Sequence, residues 1–183
     1  DLREALERGQ LELHYQPVID LRRNLIVGFE ALARWLDPVK GIVPPAKFIP
    51  VAEDCGLILP LGEWALTEAC RRAAQWPDNL TVAVNLSPVQ LTSPDLLSKV
   101  VGILSETGLE PTRLTLEITE RIFLEDSEKT LSILHELKEL GIQIALDDFG
   151  TGYSSLRYLR SFPFDTIKVD SSFVAVLGDD TGS

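Results

Sequence analysis

From residue 81 onward the chain alternates two hydrophobic spacings. The segments TVAVNLS from Thr81, RLTLEIT from Arg113, QIALDDF from Gln143 and TIKVD from Thr166 carry apolar residues at alternate positions. The stretches from Ser93 to Thr107, Ser127 to Leu140 and Ser154 to Phe162 carry them at helical intervals. Side chains alternate across a strand but wind around a helix, so the two periods predict strands separated by helices, that is, βαβ units in a parallel sheet. The first part of the chain reads differently. Asp1 to Arg8 is helix-like with Gly9 as its stop, and LELHYQPVI and LIVGFEALARW are strands joined by the turn DLRRN, so a hairpin opens the domain. PPAKFIPVAEDCG, with prolines at its start and Gly56 at its end, is a short helix. Leu61 to Trp76 is a longer amphipathic one, with Leu61, Ala65, Leu66, Ala69, Ala73 and Trp76 on its apolar side.

Parity along the strands separates two faces. Val82 and Val84, Leu114, Leu116 and Ile118, Ile144 and Leu146, and Ile167 and Val169 make an apolar face for covering helices. The opposite face carries Thr81, Ala83 and Asn85, then Thr115, Glu117 and Thr119, then Gln143, Ala145 and Asp147, then Thr166, Lys168 and Asp170; Gly28, Glu30 and Leu32 share its parity in the hairpin. An open doubly wound sheet is apolar on both faces. A face that is small or polar on five strands, with the charged member late in each, is the interior of a barrel that opens on a polar mouth. The fold class expected is therefore α/β, a TIM-like (β/α)8 barrel, in which active sites lie at the C-terminal ends of the strands. Glu30, Asn85, Glu117, Asp147 and Lys168 converge there.

Composition narrows the chemistry. The 183 residues, 45% hydrophobic and 25% charged, suit one domain with a substantial core. No apolar run is long enough to span a bilayer. Asp1 opens the chain and Met is absent, so the sequence reads as a mature domain or an excised piece. Cys55 and Cys70 lie in helical segments without metal-ligand spacing and are expected buried and reduced, which fits a cytoplasmic location. A net charge of −11 argues against a DNA-backbone binder. The convergent set offers oxygen ligands and one amine, with His14 and His135 off the pattern, which suits Mg2+ or Mn2+ rather than zinc. Asp147 and Asp148, side by side at a strand end, could serve two ions, the second Asp turning inward where the chain leaves the strand. Paired ions are a device of phosphoryl displacement. FGTGY after them is wrongly spaced for a P-loop and reads as a mobile loop.

The segments EALARW (Glu30 to Trp35), NLS (Asn85 to Ser87), LEITE (Leu116 to Glu120), LDDFGTGYSSL (Leu146 to Leu156) and FPFDTIKVDSSFV (Phe162 to Val174) resemble, in order and spacing, the EAL domains that hydrolyse cyclic di-GMP. The resemblance implies a modified TIM barrel whose first strand runs antiparallel, and metal-dependent opening of cyclic di-GMP to linear pGpG. It implies one metal on Glu30, Asn85, Glu117 and Asp147, and a second shared by Asp147 and Asp148. Lys168 would hold the attacking water, and Glu120 would steady the loop after the paired aspartates. Gln16, Leu32, Arg34 and Asp170 would line the nucleotide groove.

A TIM barrel takes ~250 residues, so on this reading roughly 65 are absent after Ser183, the single EAL-like domain of residues 1–183 stopping after about six strands. The expected partners are cyclic di-GMP, fused sensory or cyclase domains and a second copy in a homodimer; any membrane contact would come through other domains. A second reading is a module that binds cyclic di-GMP without cutting it, active cleavage being weakened by the absent part. A third, independent of the resemblance, is a Mg2+ barrel that abstracts a proton with Lys168.

Overall fold

Each strand forms where the period-2 pattern lies, and each helix is closed by an identifiable signal. A computed structural model of the protein describes residues 1–124, 127–149 and 162–170. Helix α1 (Leu2–Glu7) is capped by the Asp1 carboxylate and leads to the hairpin of β1 (Leu11–Asp20) and β2 (Leu25–Asp37). In its turn the Asp20 carboxylate accepts from the backbone N–H groups of Arg22 and Arg23, and Asn24 takes the left-handed conformation at φ 52° that short polar side chains tolerate. β2 runs on past the expected end and pairs with β3 (Gly41–Val43), a three-residue strand too short to show a period. The Asp37 carboxylate closes that second turn on the N–H groups of Val39 and Lys40.

Helix α2 (Pro45–Asp54) matches the expectation, and α3 (Ile58–Ala73) begins and ends three residues before the predicted segment. Then come β4 (Thr81–Asn85), α4 (Pro88–Leu91), α5 (Leu96–Thr107), β5 (Leu114–Thr119), α6 (Ser127–Glu139), β6 (Gln143–Phe149) and β7 (Thr166–Val169). The stretch expected as one helix from Ser93 is thus α5 alone, closed by Gly108 at φ 70°, while four residues upstream form α4, started by Ser87 and Pro88. The helix expected from Ser154 lies outside the described residues, apart from Phe162.

The sheet order is β1-β2-β4-β5-β6-β7, with β3 beside β2; β1 is antiparallel to β2, and β2, β4, β5, β6 and β7 are mutually parallel. This is the expected α/β barrel class with an antiparallel first strand. Among the described residues the sheet has seven strands, one more than expected because of β3, and β1 and β7 form its edges.

Val82, Val84, Leu114, Leu116, Ile118, Ile144 and Leu146 form the buried outer face, covered by Leu66, Ala69 and Ala73 of α3, Val100 and Ile103 of α5, and Leu134 and Leu137 of α6. Each such Leu or Ile contributes about 1.5–3 kcal/mol by leaving water. Ile167 and Val169 share the parity but remain about half exposed. A second cluster of Leu2, Leu11, Phe48, Ala52, Ile58 and Leu61 seats α1 and α2 under the hairpin. At the opposite end from the polar mouth, Arg113 is buried. Its Nη2 donates to the carbonyls of Ala73 (2.7 Å), Pro77 (3.2 Å) and Trp76 (3.4 Å), and its Nε to that of Leu80 (3.0 Å), which ties the C-terminus of α3 to the start of β5.

Cys70 is buried in α3, where burial pushes its thiol up to about 12. Cys55, expected buried, is exposed because it stands just past the end of α2, where the amphipathic face has run out. Among the described residues no helix is long and apolar enough to cross a membrane.

Candidate active site

Glu30 of β2, Asn85 of β4, Glu117 of β5, Asp147 of β6 and Lys168 of β7 come from five strands that are consecutive in the sheet, and they meet at its polar face. Lys168 is the hub. Its ammonium donates to Glu117 Oε2 at 2.5 Å, Glu30 Oε2 at 2.9 Å and Asp147 Oδ2 at 3.4 Å. Asn85 Nδ2 donates to the other Glu30 oxygen at 2.9 Å. Lys168 is therefore no solvated edge lysine, and Asn85 is more than a turn residue.

The environment divides these groups. Glu117 is almost wholly buried, and burial pushes its carboxyl up to about 7, with the nearby Glu30 and Asp147 charges adding to the rise against the bond from Lys168. For Glu30 burial acts in the same direction, but the hydrogen bonds from Lys168 and Asn85 outweigh it and hold the carboxyl below its ordinary value. For Lys168 burial alone would favour the neutral amine; the bonds to Glu117 and Glu30 overcome it and raise its pKa. One ammonium cannot neutralise three carboxylates, and the most buried of the three shows the deficit.

The paired aspartates are arranged by a bulge. Pairing of β6 with β7 slips between Leu146 and Phe149, and Asp148 stands in the left-handed region at φ 53° while the strand continues to Phe149. The Asp148 N–H donates to Asp147 Oδ1 at 2.9 Å. The extra residue re-aims the side chains, so Asp148 lines the same cavity as Glu30 and Asn85 instead of facing the covering helices. It turns toward the mouth within the strand, not on leaving it. Burial and then the Asp147 and Asp170 charges raise its carboxyl.

That cavity measures about 960 Å3. Glu30, Asn85, Glu120 and Asp148 give its lining polar groups, and Ile49, Pro50, Leu61, Leu86 and Pro88 give it apolar ones. Leu32 lines it, and Gln16 lies directly opposite Glu30 in the hairpin register, exposed. Arg34 is opposite Glu12 on the same face and donates to the Ala33 carbonyl at 2.9 Å. Half-buried Asp170 follows β7 near Asp148. Glu120 is buried at the end of β5; the loop it is expected to steady lies outside the described residues. His135 packs on Phe162 with ring centroids 5.1 Å apart, away from the site. His14 corrects the expectation that both histidines lie off the pattern, because it stands opposite Leu32 on the site-bearing face, with Nε2 2.7 Å from Glu12 Oε1.

Gln90 is a residue the sequence reading missed. Buried in the cavity wall, it makes a capping box with Ser87: its Oε1 accepts from the Ser87 N–H and its own N–H donates to Ser87 Oγ. The S-x-x-Q spacing after Asn85 carried that signal. The box, with the bond from Leu86 N–H to the Glu117 carbonyl at 2.8 Å, fixes the loop directly after Asn85.

Glu30, Glu117 and Asp147 each bring a carboxylate oxygen within 4.8 Å of the others. With all three ionised and Lys168 charged the set carries −2, the charge a divalent cation neutralises, and its donors are hard oxygens. The residues present thus fit such an ion.

Fold and site together define a parallel α/β barrel domain with an acidic cluster that fits a divalent cation at the C-terminal ends of its strands. The chain belongs to the EAL domain family, whose pattern it matches over residues 1–183. It is 56% identical over 176 residues to the uncharacterized protein y4lL of Sinorhizobium fredii, covering 96% of this chain and 21% of that protein. It is 44% identical over 185 residues to the bifunctional diguanylate cyclase/cyclic di-GMP phosphodiesterase MucR of Pseudomonas aeruginosa, covering 99% and 27%. The solved PaMucR phosphodiesterase in complex with c-di-GMP superposes with a TM-score of 0.93 over 99% of this chain and 75% of that one, at 44% identity. The chain spans about a fifth to a quarter of the length of these and similar curated relatives.

Proposed function

We propose that this domain hydrolyses one phosphodiester bond of cyclic di-GMP to give linear pGpG, with Mg2+ or Mn2+ as cofactor. The observation that supports this most is the meeting of Glu30, Asn85, Glu117, Asp147 and Lys168 at the polar face of the sheet, where Glu30 and Asn85 also line the 960 Å3 cavity. Glu30, Asn85, Glu117 and Asp147 would hold one ion, and Asp147 with Asp148 would take part in holding a second. Bound there, such ions polarise a phosphoryl oxygen and lower the pKa of a bound water. Lys168 brings the one ammonium of the set, placed to donate to the attacking oxygen and to offset charge developing on phosphate. Asn85 orients Glu30, and Gln90 and Ser87 fix the turn behind Asn85. Gln16 and Leu32 contact the nucleotide, Arg34 pairs with phosphate, and Asp170 borders the groove. Ile49 and Pro50 offer a base an apolar wall. Glu120 steadies the loop that follows the paired aspartates.

The parent protein adds cyclase or sensory domains to this one, a reading supported by the share of each relative that the chain leaves uncovered, and it acts as a homodimer on the cytoplasmic side. The test is to incubate the protein with cyclic di-GMP and Mg2+ or Mn2+ and to follow pGpG by ion-pair chromatography, beside Glu30→Gln and Asp147→Asn. Turnover lost in both variants is expected. Turnover by Asp147→Asn at the unsubstituted rate refutes the reading. Tight binding of cyclic di-GMP without pGpG replaces it with a sensor.

A further inference from the structure

We infer that Lys168 is the resident counter-cation of the acidic site, held by the same carboxylates that a divalent ion needs, so that metal entry and release of the lysine are one exchange. The inference rests on reading the carboxylate set as a cation site.

Three observations carry it. First, an ammonium has three N–H donors and no acceptor, and in the structure Glu30, Glu117 and Asp147 each receive one of them. No donor remains for a water or a phosphate. Second, these three residues are a group whose carboxylate oxygens lie within 4.8 Å of one another, so ammonium and metal ion compete for one set of carboxylates. Third, among the described residues Lys168 is the side chain that forms ion pairs with these three carboxylates, while Arg34 on the same face donates to the Ala33 carbonyl. Three carboxylates this close and this buried repel one another strongly unless a positive charge sits among them. Lys168, 30% exposed on β7, supplies it without an ion from solution.

Two consequences follow. Without metal, the lysine keeps the mouths of β2, β5 and β6 from being driven apart by their own charge. With metal, the lysine is dislodged from at least one carboxylate and its N–H becomes available to the reacting oxygen. Competence of the lysine is thereby tied to occupancy of the site, and metal affinity is set below what the bare carboxylates would give.

The test is Lys168→Met, which keeps the unbranched stem of the side chain and removes the ammonium and its charge. Mn2+ affinity is read by electron paramagnetic resonance titration and Mg2+ affinity by calorimetry, with thermal unfolding followed in chelator and in excess Mn2+. The expected result is a Kd tightened at least about tenfold, since a unit charge has left the ligand set. The metal-free form should melt lower than its unsubstituted counterpart, and the melting rise on adding Mn2+ should be larger. A Kd that is unchanged or weaker overturns the inference. Should Lys168→Met fail to fold in chelator, recovery in Mn2+, or in chelator with Glu117→Gln added, supports it; failure of both rescues overturns it. Lys168→Arg, which keeps the charge, should hold the Kd within a few-fold of the original, and a shift as large as that of Lys168→Met counts against charge as the cause. Pairing the titrations with the pGpG assay separates the two readings. A tightened Kd in a protein that never forms pGpG sinks the phosphodiesterase alone, and an unchanged Kd in one whose unsubstituted form does sinks only the exchange.

Discussion

Replacing Gly62 by alanine sets two opposed effects against each other. Gly62 lies inside α3, where alanine favours the helix by about 1 kcal/mol over glycine. A Cβ at this position would stand 1.9 Å from Gln90 Nε2, 2.5 Å from its Cδ and 2.8 Å from its Oε1, so the amide must move. That amide is the end of a flexible side chain, but not a free one. Its Oε1 accepts from the Ser87 N–H at 3.1 Å and the residue is buried. Losing that bond leaves a half-buried N–H without its partner, which costs about 1–3 kcal/mol. The displaced amide also weakens the cap of α4, worth about 1 kcal/mol. The losses exceed the helical gain, and Gly62→Ala should be less stable by about 1–3 kcal/mol.

Urea denaturation measures this, and a double-mutant cycle shows its cause. With Gln90→Ala already in place there is nothing to displace, and Gly62→Ala should then stabilise the protein by up to about 1 kcal/mol. The effect of one substitution changes sign with the identity of its neighbour. If Gly62→Ala stabilises the unsubstituted protein, or destabilises both backgrounds equally, the wedge between α3 and α4 is not what constrains position 62. Because the box holds the chain two residues after Asn85, Gly62→Ala should also weaken Mn2+ binding.

Arg113→Met should lower stability by about 3–5 kcal/mol, because four carbonyls between the end of α3 and the start of β4 lose a charged donor; Arg113→Lys should recover only part of this, since one ammonium cannot reach them all. Chemical denaturation of the two variants checks both statements. With a disulfide reagent at pH 8, one thiol per chain should react quickly, Cys55, and the second only after denaturation. Cys70 combines full burial with a pKa near 12, which leaves almost no thiolate at that pH. Ca2+ should fail to support turnover where Mg2+ does, as its longer, looser oxygen shell spoils alignment of the attacking oxygen; equal rates in the two ions would contradict hydrolysis by paired Mg2+-type ions.

The parallel part of the site was legible because a period of 2 leaves no freedom. Once Val82, Leu116, Ile144 and Leu146 are assigned to the covered face, Asn85, Glu117 and Asp147 must lie on the other. Parallel register then brings Asn85 beside Glu117 and Thr119 beside Asp147. Asp148 was legible as a candidate but not as a conformation, for nothing in DDF announces a residue at φ 53°. Gln90 escaped because its role is a local bond to Ser87, and periodicity is blind to caps. α4 escaped with it, four residues being too few for a helical period.

The hairpin shows the limit most clearly. At the turn Asp20 pairs with Leu25 and Ile19 with Ile26, a register that, continued upward, would set His14 opposite Ala31 and Gln16 opposite Phe29. Those partners belong to the face away from the site. A bulge between Val18 and Ile19 shifts the pairing by one residue, which puts Gln16 opposite Glu30 and His14 opposite Leu32. A slip of one position turns every side chain above it to the other face. The presence of Gln16 and His14 beside the site therefore depends on one extra residue near the far end of the hairpin. That extra residue is Val27 of β2, unpaired between Ile26 and Gly28; deleting Val18 from β1 opposite it would move every residue above by one position and should carry both side chains to the opposite face, while the acidic cluster, built on β2 and the parallel strands, keeps its geometry.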